Sequence, residues 1–205
     1  MTLLVDWEIR RAVEDGLIGI DGFNPDNLGP NSYDITLDSS FVEFKGFSAD
    51  RGIYEAFDDY DPLNKVNEQY YKTFDTSTYV IHSSQLLLGS TIERFKINPG
   101  IVAFVHGRSS WARIGLQIHA AGLLDSGWEG NITLEIVNFA PFPIILRKGD
   151  KIGQVTFDRV AECEVPYYKR EKSKYDRQVG ATESRLWKDY EGVTYSLHPS
   201  GADHE

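Results

Sequence analysis

NITLEIVNFA, residues 131–140, alternates with a period of two. Ile132, Leu134 and Ile136 fall on one face of an extended chain, and Thr133, Glu135 and Val137 fall on the other. That pattern is a strand with one face committed to a core. Segments of the same kind recur on both sides of it: YVIHSSQLLLGSTIERFKI at 79–97, IVAFVHGRSS at 101–110 and FPIILRKGDKIGQVTFDRV at 142–160. Pro99-Gly100, Gly127, Gly130, Pro141, Pro143, Gly149 and Gly153 punctuate them. Short strands at this spacing predict a mainly β fold, a distorted β-barrel or jelly roll. Upstream, YDITLDSSFVEFK at 33–45 reads as a further strand, and DWEIRRAVED at 6–15 as a short helix. In that helix Asp6 is the expected cap, Ile9 and Val13 share a face, and Gly16 ends it. Few other helices are expected. Residues 46–77 are polar, acidic and aromatic without a clear period, and read as an insert with some local structure. One domain is expected over 1–189, with 190–205 as a flexible tail.

The 205 residues suffice for one domain with a real core, and 41% hydrophobic with 25% charged residues is an ordinary globular balance. No apolar run approaches membrane-spanning length, and the start, MTLLVDWEIRR, lacks the layout of a signal peptide. A cytoplasmic location and no membrane partner are expected. The one cysteine, Cys163, supports neither an internal disulfide nor a cysteine-rich metal site. A net charge of −10 argues against nucleic acid as a partner. The charge is uneven, however. Residues 167–188 carry seven Lys or Arg against three Asp or Glu, which suits a small polyanion held at one place, or simply a solvated face.

Two carboxylates need explaining. Glu135 sits among strand residues, and Asp125 closes the apolar pair Leu123-Leu124. If the second face of the 131–140 strand meets solvent, Glu135 is ordinary. If that face lines a pocket or a subunit interface, Glu135 is a candidate acid–base group with a raised pKa. Asp125, in Asp-Ser-Gly, also suits a turn. The stretch GRSSWAR at 107–113 follows an apolar strand. Its Ser109 and Ser110, with Arg108 and Arg113 beside them, make either an anion cradle or a serine-capped turn with surface arginines. A zinc deaminase needs H-x-E and P-C-x-x-C spacing. Neither exists here, and the histidines at 82, 106, 119, 198 and 204 are scattered, so no zinc is expected.

Taken in order, GRSSWARIGL, H-A-A-G-x-L-D-x-G-W-x-G, ITLEIVN and KGDKIGQVTF resemble the dCTP deaminase and dUTPase superfamily, and within it the dCTP deaminases. GPNSYDITL near the start and PYYKREKSKYDRQVGATESRLWKD near the end extend the resemblance over most of 3–189, apart from the insert. The resemblance implies a homotrimer with sites between subunits, where dCTP with Mg²⁺ is hydrolysed to dUTP and ammonia. It implies Glu135 as the catalytic glutamate, with Ser109 and Arg113 reaching into a neighbour's site. Arg108 and Ser110 belong to the same phosphate-contacting motif. Asp125 would meet the deoxyribose 3′-hydroxyl, and the Ala121 carbonyl the base amino group and the water. Tyr167, Lys174, Tyr175 and Gln178 would close over the nucleotide.

The stretch HAAGLLD is one residue shorter than the family's usual form and lacks its threonine, which resembles the dUTPase pattern A-G-x-[ILV]-D. That leaves open a bifunctional enzyme or a dUTPase forming dUMP and pyrophosphate, a modified cytosine nucleotide as substrate, and the fate of the family's dTTP inhibition. A nucleotide-sensing binder with little turnover is a further alternative. Gly180-Ala181 resembles the monofunctional deaminases, and dUTP is the expected product.

Overall fold

The computed structural model describes residues 2–48, 50, 51, 53, 54, 70–119 and 122–191. In chain order its elements are β1 (Thr2–Leu3), α1 (Asp6–Glu14), β2 (Ile18–Ile20), β3 (Tyr33–Phe44), β4 (Phe47–Ser48), β5 (Ile53–Tyr54), β6 (Tyr71–Asp75) and β7 (Thr78–Ile81). They continue with β8 (Leu86–Ile97), β9 (Ile101–Gly107), α2 (Ser109–Ala112), β10 (Leu116–Ile118), β11 (Leu123–Leu124), β12 (Glu129–Asn138), β13 (Ile144–Arg147) and β14 (Lys151–Arg159). Short 3₁₀ turns lie at Pro25–Asn27, Tyr167–Lys169 and Leu186–Tyr190.

The principal sheet runs β10-β12-β8-β3-β14-β9-β11, with β1 on β14, β2 on β8 and β6 on β3. Every strand pairing in it is antiparallel. Register shifts at Asn131/Thr133, Leu37/Phe41 and Lys151/Gly153 add the local twist that lets so wide a sheet curl into a half-barrel. The mainly β expectation is met. The alternation that opened the argument is real: Ile132, Leu134 and Ile136 are 4, 1 and 0% exposed, inside the main core. Tyr33 is fully buried there, stacked on Phe23 and edge-on to Phe95, and its hydroxyl accepts from the Asn24 amide at 2.9 Å. A buried tyrosine needs such a partner for its polar end.

One local reading needs correcting. Asp6 does not cap α1. Val5 occupies the cap position, Glu8 Oε2 accepts from the Val5 amide at 3.1 Å, and Asp6 accepts from the Trp7 amide at 2.8 Å. The acid at the third helical position reaches back to the chain end, and the residue before Asp6 takes the extended conformation. The helix face is Ile9 and Ala12, with Val13 partly buried beside them. Within the 46–77 stretch the described residues carry local structure. β4 and β5 form a small ladder, and β6 adds to the sheet beside β3, with Phe44 opposite Tyr71 and Ser40 opposite Asp75. Five residues are too short a run to stand out among flanking polar aromatics. Of the expected tail at 190–205, Tyr190 ends the 3₁₀ turn Leu186–Tyr190, and 192–205 lie outside the described residues.

Gly122, in the shortened loop, shows why a glycine stands there. A Cβ on it would lie 2.5 Å from the Val105 Cβ, while its carbonyl accepts from the Val105 amide at 2.8 Å. Gly122→Ala is therefore expected to destabilise the protein by about 1–3 kcal/mol, the usual range for overpacking. Urea unfolding measures it, and an unchanged midpoint would mean that the loop does not sit on β9.

Candidate active site

Strand β12 carries Thr133 and Glu135 on the face away from the core, and both line a cavity of about 550 Å³. Asp125, Tyr167, Tyr175 and Gln178 line it as well. The strand face is thus neither solvent nor core but lines a pocket. Burial pushes its carboxyl above the ordinary carboxylate range, against smaller opposing pulls from its own backbone amide and from His119. The His119 amide also donates to the Glu135 carbonyl at 2.9 Å, because β10 pairs with β12.

A carboxyl with a raised folded pKa contributes stability that is complete below its unfolded value, about 4.3, and lost as pH rises through the folded value. Glu135→Gln is therefore expected to melt at a higher temperature than the parent at neutral pH, with the gap closing on acidification. Thermal melts across pH check the sign, and a parent more stable than the variant at pH 7 would contradict the burial argument.

The C-terminal stretch from Pro166 is a strap laid over this cavity. Tyr167 N–H donates to the Ser126 carbonyl at 2.9 Å, and the Tyr175 amide donates to the Tyr167 hydroxyl at 3.1 Å. The Trp128 indole N–H donates to the Tyr175 carbonyl at 2.9 Å. Gln178 forms a parallel bridge with Gly130, and its side-chain amide donates to the Asn131 carbonyl at 2.7 Å. Gly130 permits this contact: at φ 156° any Cβ would lie 3.0 Å from the Gln178 carbonyl oxygen. Further on, the Thr182 amide donates to Thr133 Oγ1 at 3.2 Å and the Ala181 amide to Ser40 Oγ at 3.1 Å. The basic run at 167–188 is a docked segment rather than a free solvated tail.

Not every expected residue joins the cavity. Lys174 is paired with Asp189. Arg108, Ser109 and Ser110 line a separate groove of about 530 Å³ with Trp111 and Gln117, and Ile118 borders both spaces. There Arg108 lies 3.5 Å from Asp34 and donates to the Lys151 carbonyl at 3.3 Å. The helical turn expected after β9 is present as α2, but its cap position is Arg108, so the reading of Ser109 as a side-chain cap does not hold. Arg113 is exposed just beyond that turn. Ala121 lies outside the described residues.

Three contributors were not legible beforehand. His119 reaches Glu135 only through the β10–β12 pairing, which no local spacing reports. Trp128 anchors the strap over 47 residues of sequence, and the W of D-x-G-W was its only signal. Arg185 holds Tyr175, its amide donating to the Tyr175 hydroxyl at 2.9 Å and its guanidinium lying 5.6 Å from the ring centre. Among the described residues no three His, Cys, Asp or Glu side chains gather to hold a metal ion, and no helix is long and apolar enough to cross a membrane.

A family model described as dCTP deaminase-like matches residues 3–160. This chain belongs to that family. A curated relative in Methanospirillum hungatei, described as "dCTP deaminase, dUMP-forming", is 35% identical over 190 residues, covering 91% of this chain and 97% of that protein. One of the same description in Mycobacterium tuberculosis is 35% identical over 193 residues, covering 92% and 97%. One described as "dCTP deaminase" in Natronomonas pharaonis is also 35% identical over 193 residues, with the same coverage. The crystal structure of 2′-deoxycytidine 5′-triphosphate deaminase from Agrobacterium tumefaciens aligns with a TM-score of 0.58 at 18% identity. That alignment covers 78% of this chain and 48% of that one, and it supports the dCTP deaminase-like fold.

Proposed function

We propose that this dCTP deaminase-like protein hydrolyses dCTP in two steps, releasing ammonia from the base and then pyrophosphate from the resulting dUTP, so that dUMP is the final product. The observation that carries the reading is Glu135, a carboxylate with a raised pKa set in the cavity that Asp125 also lines. Glu135 takes a proton from water as the oxygen adds to C4 of cytosine, and passes that proton to N3. A further proton transfer lets the amino group leave as ammonia, and the water oxygen becomes O4 of uracil. Tyr167, Tyr175 and Gln178 hold the strap over the base and sugar and keep bulk water out. The Ala121 carbonyl holds the amino group and the attacking water.

Two facts favour the second step. The relatives described as dUMP-forming are as similar to this chain as any reported above. The short loop has the A-G-x-L-D form, and Asp125 at its end lines the same cavity as Glu135, from which it can activate a second water against the phosphate chain. The triphosphate would itself hold Mg²⁺, and the ion would supply neutralisation of the phosphate charge there. Arg108, Ser109, Ser110 and Arg113 of a neighbouring subunit in a homotrimer, with Lys174 released from Asp189, complete the phosphate contacts. Exposed Ile114, Phe139 and Phe142, at 44, 59 and 49%, provide apolar surface for that assembly.

A single-step enzyme that stops at dUTP is the competing reading, favoured by Gly180-Ala181 and by the relative described simply as a dCTP deaminase. Asp125→Asn separates the two. The two-step reading expects pyrophosphate release to fall at least about a hundredfold, as for loss of a general base. Ammonia release falls far less, and dUTP accumulates. Equal losses of both products would leave Asp125 with the sugar alone.

A further inference from the structure

Glu135 has two unlike flanks. On one side β10 pairs with β12 and leads into His119, and β10 ends the sheet order, so its outer backbone groups face no further strand of that sheet. On the other side the register sets a hydrocarbon wall. Leu88 lies directly opposite Glu135 on β8, Val42 of β3 lies opposite Leu88, and Phe44 lies opposite Tyr71. Leu86 is two residues from Leu88 and shares its face. Phe44, Tyr71, Leu86 and Leu88 all line the cavity. Val42, Tyr71, Leu88 and Ala181 of the strap form a small apolar cluster of their own, separate from the main core. Tyr71 comes from β6, the strand that closes the insert.

A cytosine ring also has two unlike flanks. With C4 turned to Glu135, N3 and O2 lie on one side and the C5–C6 edge on the other. N3 and O2 need hydrogen-bond partners, which the backbone of an edge strand provides and a wall of Leu, Phe and Tyr rings does not. The C5–C6 edge therefore faces Leu88, Leu86, Phe44 and Tyr71. We infer that this wall is a subsite for an alkyl group on C5 of the pyrimidine, so that 5-methyl-dCTP is deaminated at least as well as dCTP. The inference rests on the deaminase reading above. The chemistry is unchanged: water adds at C4, ammonia leaves, and the product is dTTP, which the second step converts to dTMP and pyrophosphate. A hydroxymethyl group is disfavoured at the same place, because its hydroxyl would lose water against hydrocarbon. Glu183 and Ser184 of the strap also line the cavity, so 5-hydroxymethyl-dCTP belongs in the test.

The experiment is a competition between dCTP and 5-methyl-dCTP, with Mg²⁺ and the full chain, the uracil and thymine products being separated and counted. Burial of one methyl group predicts a kcat/KM ratio about fourfold in favour of 5-methyl-dCTP. Leu88→Phe fills the wall and is expected to pull that ratio below one, and Leu86→Phe does so from the neighbouring position if the first variant does not fold. A parent ratio below one overturns the subsite, as does a ratio unmoved in a folded Leu→Phe variant or a preference for 5-hydroxymethyl-dCTP. If neither dCTP nor 5-methyl-dCTP is deaminated, the deaminase reading itself fails, and with it the subsite.

Discussion

Glu135→Gln is expected to end ammonia release from dCTP while leaving nucleotide binding in place. The substitution keeps the size and hydrogen-bonding shape of the side chain and removes its ability to take a proton. Loss of a positioned general base costs roughly 10²–10⁴-fold in rate. Here the loss should sit in kcat, because the amide still fills its place in the cavity and the strap contacts around Tyr167, Tyr175 and Gln178 are untouched. The parent enzyme should show the complementary pH dependence. A base acts only when ionised, and burial holds the Glu135 carboxyl above the ordinary carboxylate range, so kcat/KM falls as pH drops through that raised value. Stopped assays for ammonia, paired with dCTP binding by calorimetry, separate chemistry from affinity. A variant with full ammonia release would remove Glu135 from the mechanism.

The second large effect is a restoration. Arg113 and Ser109 lie outside the Glu135 cavity of their own chain, and Arg113 is exposed. If these residues serve a neighbour's site, Arg113→Ala and Glu135→Gln are each inactive alone yet repair one another when mixed. In a closed ring of three subunits each site draws its glutamate from one chain and its arginine from the next. After equal mixing and subunit exchange, about a quarter of the sites hold both intact residues, so roughly a quarter of the parent activity returns. Coexpression with two different tags makes the mixed species and allows its isolation. If it stays inactive although it contains both chains, the site is built within one subunit.

Much of this was legible before the structure because the deciding features were local. The alternation Ile132, Leu134, Ile136 is a property of one strand, and it set both the core face and the opposite face that carries Glu135. The order of motifs from Gly107 to Phe157 carried the family. What stayed hidden depended on partners distant in sequence. His119 looked like one of several scattered histidines, because spacing along the chain cannot report that β10 lies beside β12. The five residues of β6 make sense only against β3. Lys174 was expected to close over the nucleotide, and its partner Asp189 lies in the last turn of the strap. The cap of α1 was misread by one position, since Asp6 and Glu8 both suit a helix start and only the geometry at Val5 distinguishes them.

The most direct test of the central claim is product analysis by mass spectrometry after turnover of dCTP with Mg²⁺ in H₂¹⁸O. Two waters are used at two places. The account predicts ammonia, unlabelled pyrophosphate, and dUMP that carries one ¹⁸O in the uracil ring and one on its phosphate. Recovery of dCMP with an unaltered cytosine ring, or of dCTP unchanged, would contradict it.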